Sequence, residues 1–115
     1  MSDLPSADDR PHRVLTVLTT TDSAESAEAL AREAVGARLA ACAQVSAPVT
    51  SVYRWEGEVQ QEQEWQIVFK VAARGYQALE ERLRSVHPYD VPEILATPVV
   101  HGSAEYRAWV EEETA

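Results

Sequence analysis

Two rhythms of apolar positions alternate along this chain, one of period two and one close to 3.6, and together they predict its elements. Arg13 to Thr20, RVLTVLTT, is a β-branched run of strand length. DSAESAEALAREAVGARL then places Ala27, Leu30, Ala31, Ala34 and Leu39 on one helical face and turns Glu25, Glu28, Arg32 and Arg38 outward. Asp22, with Glu25 three residues on, reads as the capping box that starts this helix. In ACAQVSAPVTSVYRWEGEV, residues Val45, Val49, Val52 and Tyr53 favour extended chain, while Pro48 and Gly57 predict a bend and a bulge. The polar Gln60 to Gln63 predicts the turn into EWQIVFKVA, where Trp65, Ile67, Phe69 and Val71 alternate with Glu64, Gln66, Val68 and Lys70. The two runs are expected to form a long antiparallel hairpin.

RGYQALEERLRSV brings Tyr76, Leu79, Leu83 and Val86 onto one helical face. EILATPVV predicts a further strand, and SAEYRAWVEEE a last short helix capped by Ser103. The order is βαββαβ plus a terminal helix. With right-handed crossovers this is the α+β, ferredoxin-like sheet carrying both main helices on one face. Two features predict an oligomer. In the first strand Leu15 and Val17 point one way and Val14 and Leu18 the other, so a second apolar face needs cover from another subunit. A twelve-residue hairpin strand also reaches ~40 Å, more than the ~35 Å width of a globule of this length, so the hairpin should overhang its own domain and pair with a neighbour.

Composition narrows the partners. At 115 residues and 45% hydrophobic content the chain predicts one folded domain, over residues 13–112, after a disordered tail over 1–12. The closing EEETA reads as a second solvated tail. Ten basic residues stand against 19 acidic ones, a net charge of -9, with Lys70 the sole lysine, so no nucleic acid partner is expected. No run approaches a membrane span, and no membrane partner is expected. The single Cys42 excludes an intrachain disulfide framework and fits a reducing compartment, so a cytoplasmic location is expected.

Four stretches, ARLAACAQV, SVYRWEGEVQQEQEWQIVFKV, VHPYDVPEI and EYRAWV, occur in this order and at separations that resemble the CutA family, the divalent-cation tolerance proteins. The likeness runs from about Val14 to Val110. It implies a ferredoxin-like protomer, a tight homotrimer joined through long hairpins, and a role in tolerance to copper and other divalent ions. Gln44 and Asp90 depart from the family's usual Asn and Glu, which bears on ligand geometry and not on the fold.

VHPYDVPEI offers His87, Asp90 and Glu93 as imidazole and carboxylate ligands, with Pro88 and Pro92 stiff enough to aim them at one divalent ion. A purely structural account stands beside this one. Pro88 ends the preceding helix at His87, Tyr89 packs its ring, Asp90 caps a turn amide and Pro92 opens an edge strand. Cys42 reads as a buried inert thiol or as a soft copper ligand needing a second ligand from a symmetry mate or from His87. No cofactor is required on this reading; copper or another divalent ion is the metal it admits.

Lys70 is expected to form a buried ion pair between subunits with a carboxylate such as Glu64 or Glu93. Alternatively, Lys70, Arg54 and Arg74 counter an anion or nucleotide phosphate in a subunit cleft, by analogy with trimeric signalling proteins of the PII type. A scaffold without a specific ligand is a further alternative. Tyr53, Trp55 and Val68 are expected at the trimer interface. HGS lacks the G-x-S-x-G pattern and Cys42 has no assigned base, so no enzyme is expected.

Overall fold

The computed structural model describes residues 12–115, so all but His12 of the expected N-terminal tail lies outside the described residues. The elements run β1 (Val14–Thr21), α1 (Ala24–Gly36), β2 (Cys42–Val45), β3 (Val49–Trp55), β4 (Glu58–Ala72), α2 (Tyr76–Val86), β5 (Ile94–Pro98) and α3 (Ala104–Glu113). The strands form an antiparallel sheet in the order β2-β4-β1-β5, with β3 pairing on the far part of β4. This is the expected α+β topology with its terminal helix.

The alternation in β4 decides what the sheet buries. Ile67, Phe69 and Val71 face α1 and α2, and close a core with Val17, Leu30, Leu79 and Leu83. Burying aromatic and branched side chains of this size is the main term holding such a layer together. Val14, on the other face, packs with Ala41 and Val110 in a smaller second core, flanked by Val99. The chain's own α3 therefore covers part of the face that was expected to await another subunit. Further along that face Leu95 stays 59% exposed.

Three local expectations are corrected. Ser23, not Asp22, caps α1: its side chain accepts from the Ser26 N–H, which the shorter serine does from an extended backbone. At the bend expected at Pro48 the run counted as one strand divides into two, β2 and β3, because Ser46 turns its hydroxyl to the Gln66 N–H and Pro48 has no N–H to offer β4. The hairpin turn is Glu56–Gly57, not Gln60–Gln63. Trp55 pairs with Glu58, and both loop residues have positive φ, 51° and 81°. This is the two-residue turn whose twist matches that of paired strands.

β4 thus continues through the expected turn for 15 residues, about 50 Å at the rise of an extended chain. The molecule measures 51 × 32 × 25 Å. The hairpin overhangs the domain as anticipated, on a strand longer than the twelve residues expected. EEETA is not a solvated tail, since Thr114 is only 3% exposed and its hydroxyl accepts from the Ala72 N–H. The described fold runs on to Ala115.

Candidate functional site

The turn after α2 is built around His87. Its N–H makes the last helical bond, to Leu83 O, and its backbone is already extended (ψ 139°), as a residue before proline must be. Nδ1 accepts from the Tyr89 N–H at 3.1 Å. Nε2 therefore carries the proton, 2.9 Å from the Thr20 carbonyl and 3.1 Å from Thr19 Oγ1 on β1. The turn amide expected on Asp90 is taken by the imidazole. Tyr89 stacks at a tilt on the same ring, 5.0 Å between centroids, and donates its hydroxyl to Glu64 at 2.8 Å.

Burial pushes His87 below its ordinary value, against the Thr20 carbonyl and the Asp22 and Glu64 charges that favour its protonated form. Burial also raises Tyr89, helped by its hydrogen bond to Glu64. Both shifts keep the cluster neutral at its imidazole and phenol. Asp90 and Glu93 are exposed beyond it.

Cys42 lies elsewhere. In register it faces Lys70, which in turn faces Thr16; Thr19, where His87 docks, is three residues further along β1, about 10 Å. The faces differ too. Lys70 alternates with the core residues Phe69 and Val71, so Cys42 and Lys70 are on the α3 side. There Cys42 Sγ is 3.6 Å from Tyr106 Oη, and Lys70 Nζ donates to Gln44 Oε1 at 2.8 Å. Within the chain Lys70 bonds this amide, because Gln44 is two residues from Cys42 on the same face of β2.

The cations do not converge. Arg54 pairs across from Val59 near the hairpin tip, about 36 Å along β4 from Lys70. Arg74 points at the end of α3, bonding the main-chain oxygens of Glu111, Thr114 and Ala115. In contrast, Tyr53, Trp55 and Val68 share one face: β3 and β4 register Tyr53 with Gln60 and Trp55 with Glu58, and these alternate in step with Val68.

Residues 15–113 match the CutA1 divalent ion tolerance protein family. The chain belongs to that family. It is 43% identical over 98 residues to the divalent-cation tolerance protein CutA of Thermus thermophilus, covering 85% of this chain and 95% of that one. The solved Thermus thermophilus structure superposes with a TM-score of 0.86 at 41% identity, over 89% of this chain and 99% of the other. A structure described as the periplasmic divalent cation tolerance protein CutA of Archaeoglobus fulgidus gives 0.85 at 26% identity, over 89% and 99%.

For this member of the CutA family a metal centre needs ligands that meet. Among the described residues no three His, Cys, Asp or Glu side chains are grouped to hold an ion. Cys42, His87, Asp90 and Glu93 do not close a site within one chain, and both nitrogens of His87 are already engaged. The contacts that sequence reasoning missed are Tyr106 on Cys42, and Tyr89 on Glu64. Side-chain pairs 64 and 25 residues apart leave no local signal.

Proposed function

We propose that this CutA-family chain serves divalent-cation tolerance as a homotrimer that meets copper and other divalent ions weakly and transiently, without a resident metal centre and without catalysis. Family membership supports the role. The observation that supports the assembly is the hairpin itself. Val52, Tyr53, Trp55 and Val59 are 63%, 39%, 51% and 65% exposed on an arm that runs past the body of the domain. Apolar residues on unpaired strand edges call for a partner, and an identical chain offers the matching edge.

Transient metal contact fits the geometry better than a closed site does. The carboxylates of Asp90 and Glu93 face solvent, while His87 would have to leave Thr20 or Tyr89 to bind. Separation of Arg54, Lys70 and Arg74 weakens the anion-binding alternative. The lone thiol supports a reducing compartment, the cytoplasm; cell fractionation tests this directly, since a relative is described as periplasmic.

Native mass spectrometry of untagged protein, with and without stoichiometric copper, tests both halves of the proposal. The expected spectrum is a trimer carrying a distribution of weak copper adducts. A whole number of tightly held ions, lost in His87→Ala or Cys42→Ala variants, would replace transient contact by a specific site. A monomer would overturn the assembly.

A further inference from the structure

β4 changes partners at the root of the arm. Its last pairs with the body are Ile67 with Val45 and Trp65 with Thr21, and from Glu64, opposite Val49, it pairs outward with β3 alone. Beyond that point the arm is a two-stranded ribbon, which twists and bends more than a strand flanked on both sides. Its reach makes any bend count. From Glu64 to the turn at Gly57 is about 23 Å at the rise of a strand, so a swing of about 10° at the root carries the tip about 4 Å. Main-chain hydrogen bonds to a second chain do not survive a shift of that size.

Tyr89 reaches this root from the body. Its hydroxyl donates to Glu64 Oε2 at 2.8 Å, at the residue where the ribbon begins. Tyr89 is itself fixed, because its N–H donates to His87 Nδ1 at 3.1 Å and its ring lies 5.0 Å from the imidazole. Nε2 of the same imidazole is bonded to Thr20 O at 2.9 Å on β1. A path of short contacts therefore ties a central strand of the body, through His87 and Tyr89, to the first residue of the arm. Its last link is of the stronger class, since the acceptor is a carboxylate.

We propose that Tyr89 is a strut that sets the direction of the arm, with His87 as its anchor, and so pre-organises the chain to receive a second copy of itself. An arm already held in its bound direction loses less freedom on association. The strut is read from one chain, and its consequence for association rests on the trimer reading above. It also gives both ring nitrogens of His87 a role that needs no metal.

Subunit exchange between unlabelled and isotope-labelled protein, followed by native mass spectrometry, tests the strut. Tyr89→Phe keeps the ring on His87 and should exchange subunits about tenfold faster than wild type, the scale set by one hydrogen bond to a charged group. Tyr76→Phe, which removes a similar bond to Glu80 within α2, should exchange at the wild-type rate. A Tyr89→Phe rate equal to wild type would overturn the strut. Glu64→Gln separates the strut from direct contact with the neighbour: added to Tyr89→Phe it should leave the rate of that variant unchanged. Effects that multiply would mean that the two side chains act independently, and would overturn the strut as well. Should wild type prove monomeric, the trimer reading fails and hydrogen exchange decides the strut by itself. Faster exchange at 50–53 and 61–64 in Tyr89→Phe, with β1 unchanged, supports it, and unchanged exchange there overturns it.

Discussion

His87 shows what a single side chain does when both ring nitrogens are committed. It joins the end of α2 to β1 through Thr19 and Thr20, and it shapes the turn by taking the Tyr89 amide. Only the neutral ring makes both bonds. Its folded-state value is depressed below 6.5 by burial, so the unfolded chain takes up a proton first as the pH falls. Stability from this group is complete above 6.5, declines as the pH drops toward the lower folded value, and levels off below it. A His87→Gln variant should therefore lose less stability than wild type between neutral pH and mildly acid pH in denaturant titrations. Parallel losses would show that other groups carry the acid response. The proline-directed helix stop at His87 was legible in the sequence from Pro88 alone. Its hydrogen-bond partners were not, because they come from a strand 67 residues away.

At the scale of elements, alternation and helical spacing located the strands and helices, since burial on one face imposes those periods on the chain. The hairpin turn was the failure. Gln60 to Gln63 is polar because β4 there runs through solvent beyond the helices, not because the chain reverses. The reversal falls at Glu56–Gly57, where both φ values are positive and only the glycine announces it. Glutamate is a poor occupant of that conformation. Asparagine suits the first position of such a turn, so Glu56→Asn should stabilise the protein by about 0.5–1 kcal/mol. The check is the denaturation midpoint at fixed protein concentration, where an unchanged or lowered midpoint would count against the turn assignment. EEETA failed for a related reason: Glu112 and Glu113 face water, while the main chain is held by Arg38 and Arg74 and the Glu111 carboxylate meets Arg13.

At the scale of the molecule, the 51 Å long axis follows from one strand continuing past its domain. Tyr53 and Trp55 lie on that extension, on the face that also carries Val68. Replacing both aromatics by alanine should shift the proposed trimer toward monomers in sedimentation or native mass measurements, because exposed aromatics carry much of the energy of such contacts. A trimer of undiminished stability would place the assembly on another surface. The sequence by itself determined the element order apart from the division of the second strand into β2 and β3, the sheet with both main helices on one face, and the overhang, since these follow from local periodicity, crossover handedness and chain length. Four ordered stretches also determined the family. Tertiary structure decided which side chains share a site. It put Cys42 and His87 on opposite faces of the sheet, separated Arg54, Lys70 and Arg74, and folded the last residues onto the second core. Meetings of that kind depend on strand register and helix docking across long stretches of chain, and no nearest-neighbour pattern encodes them.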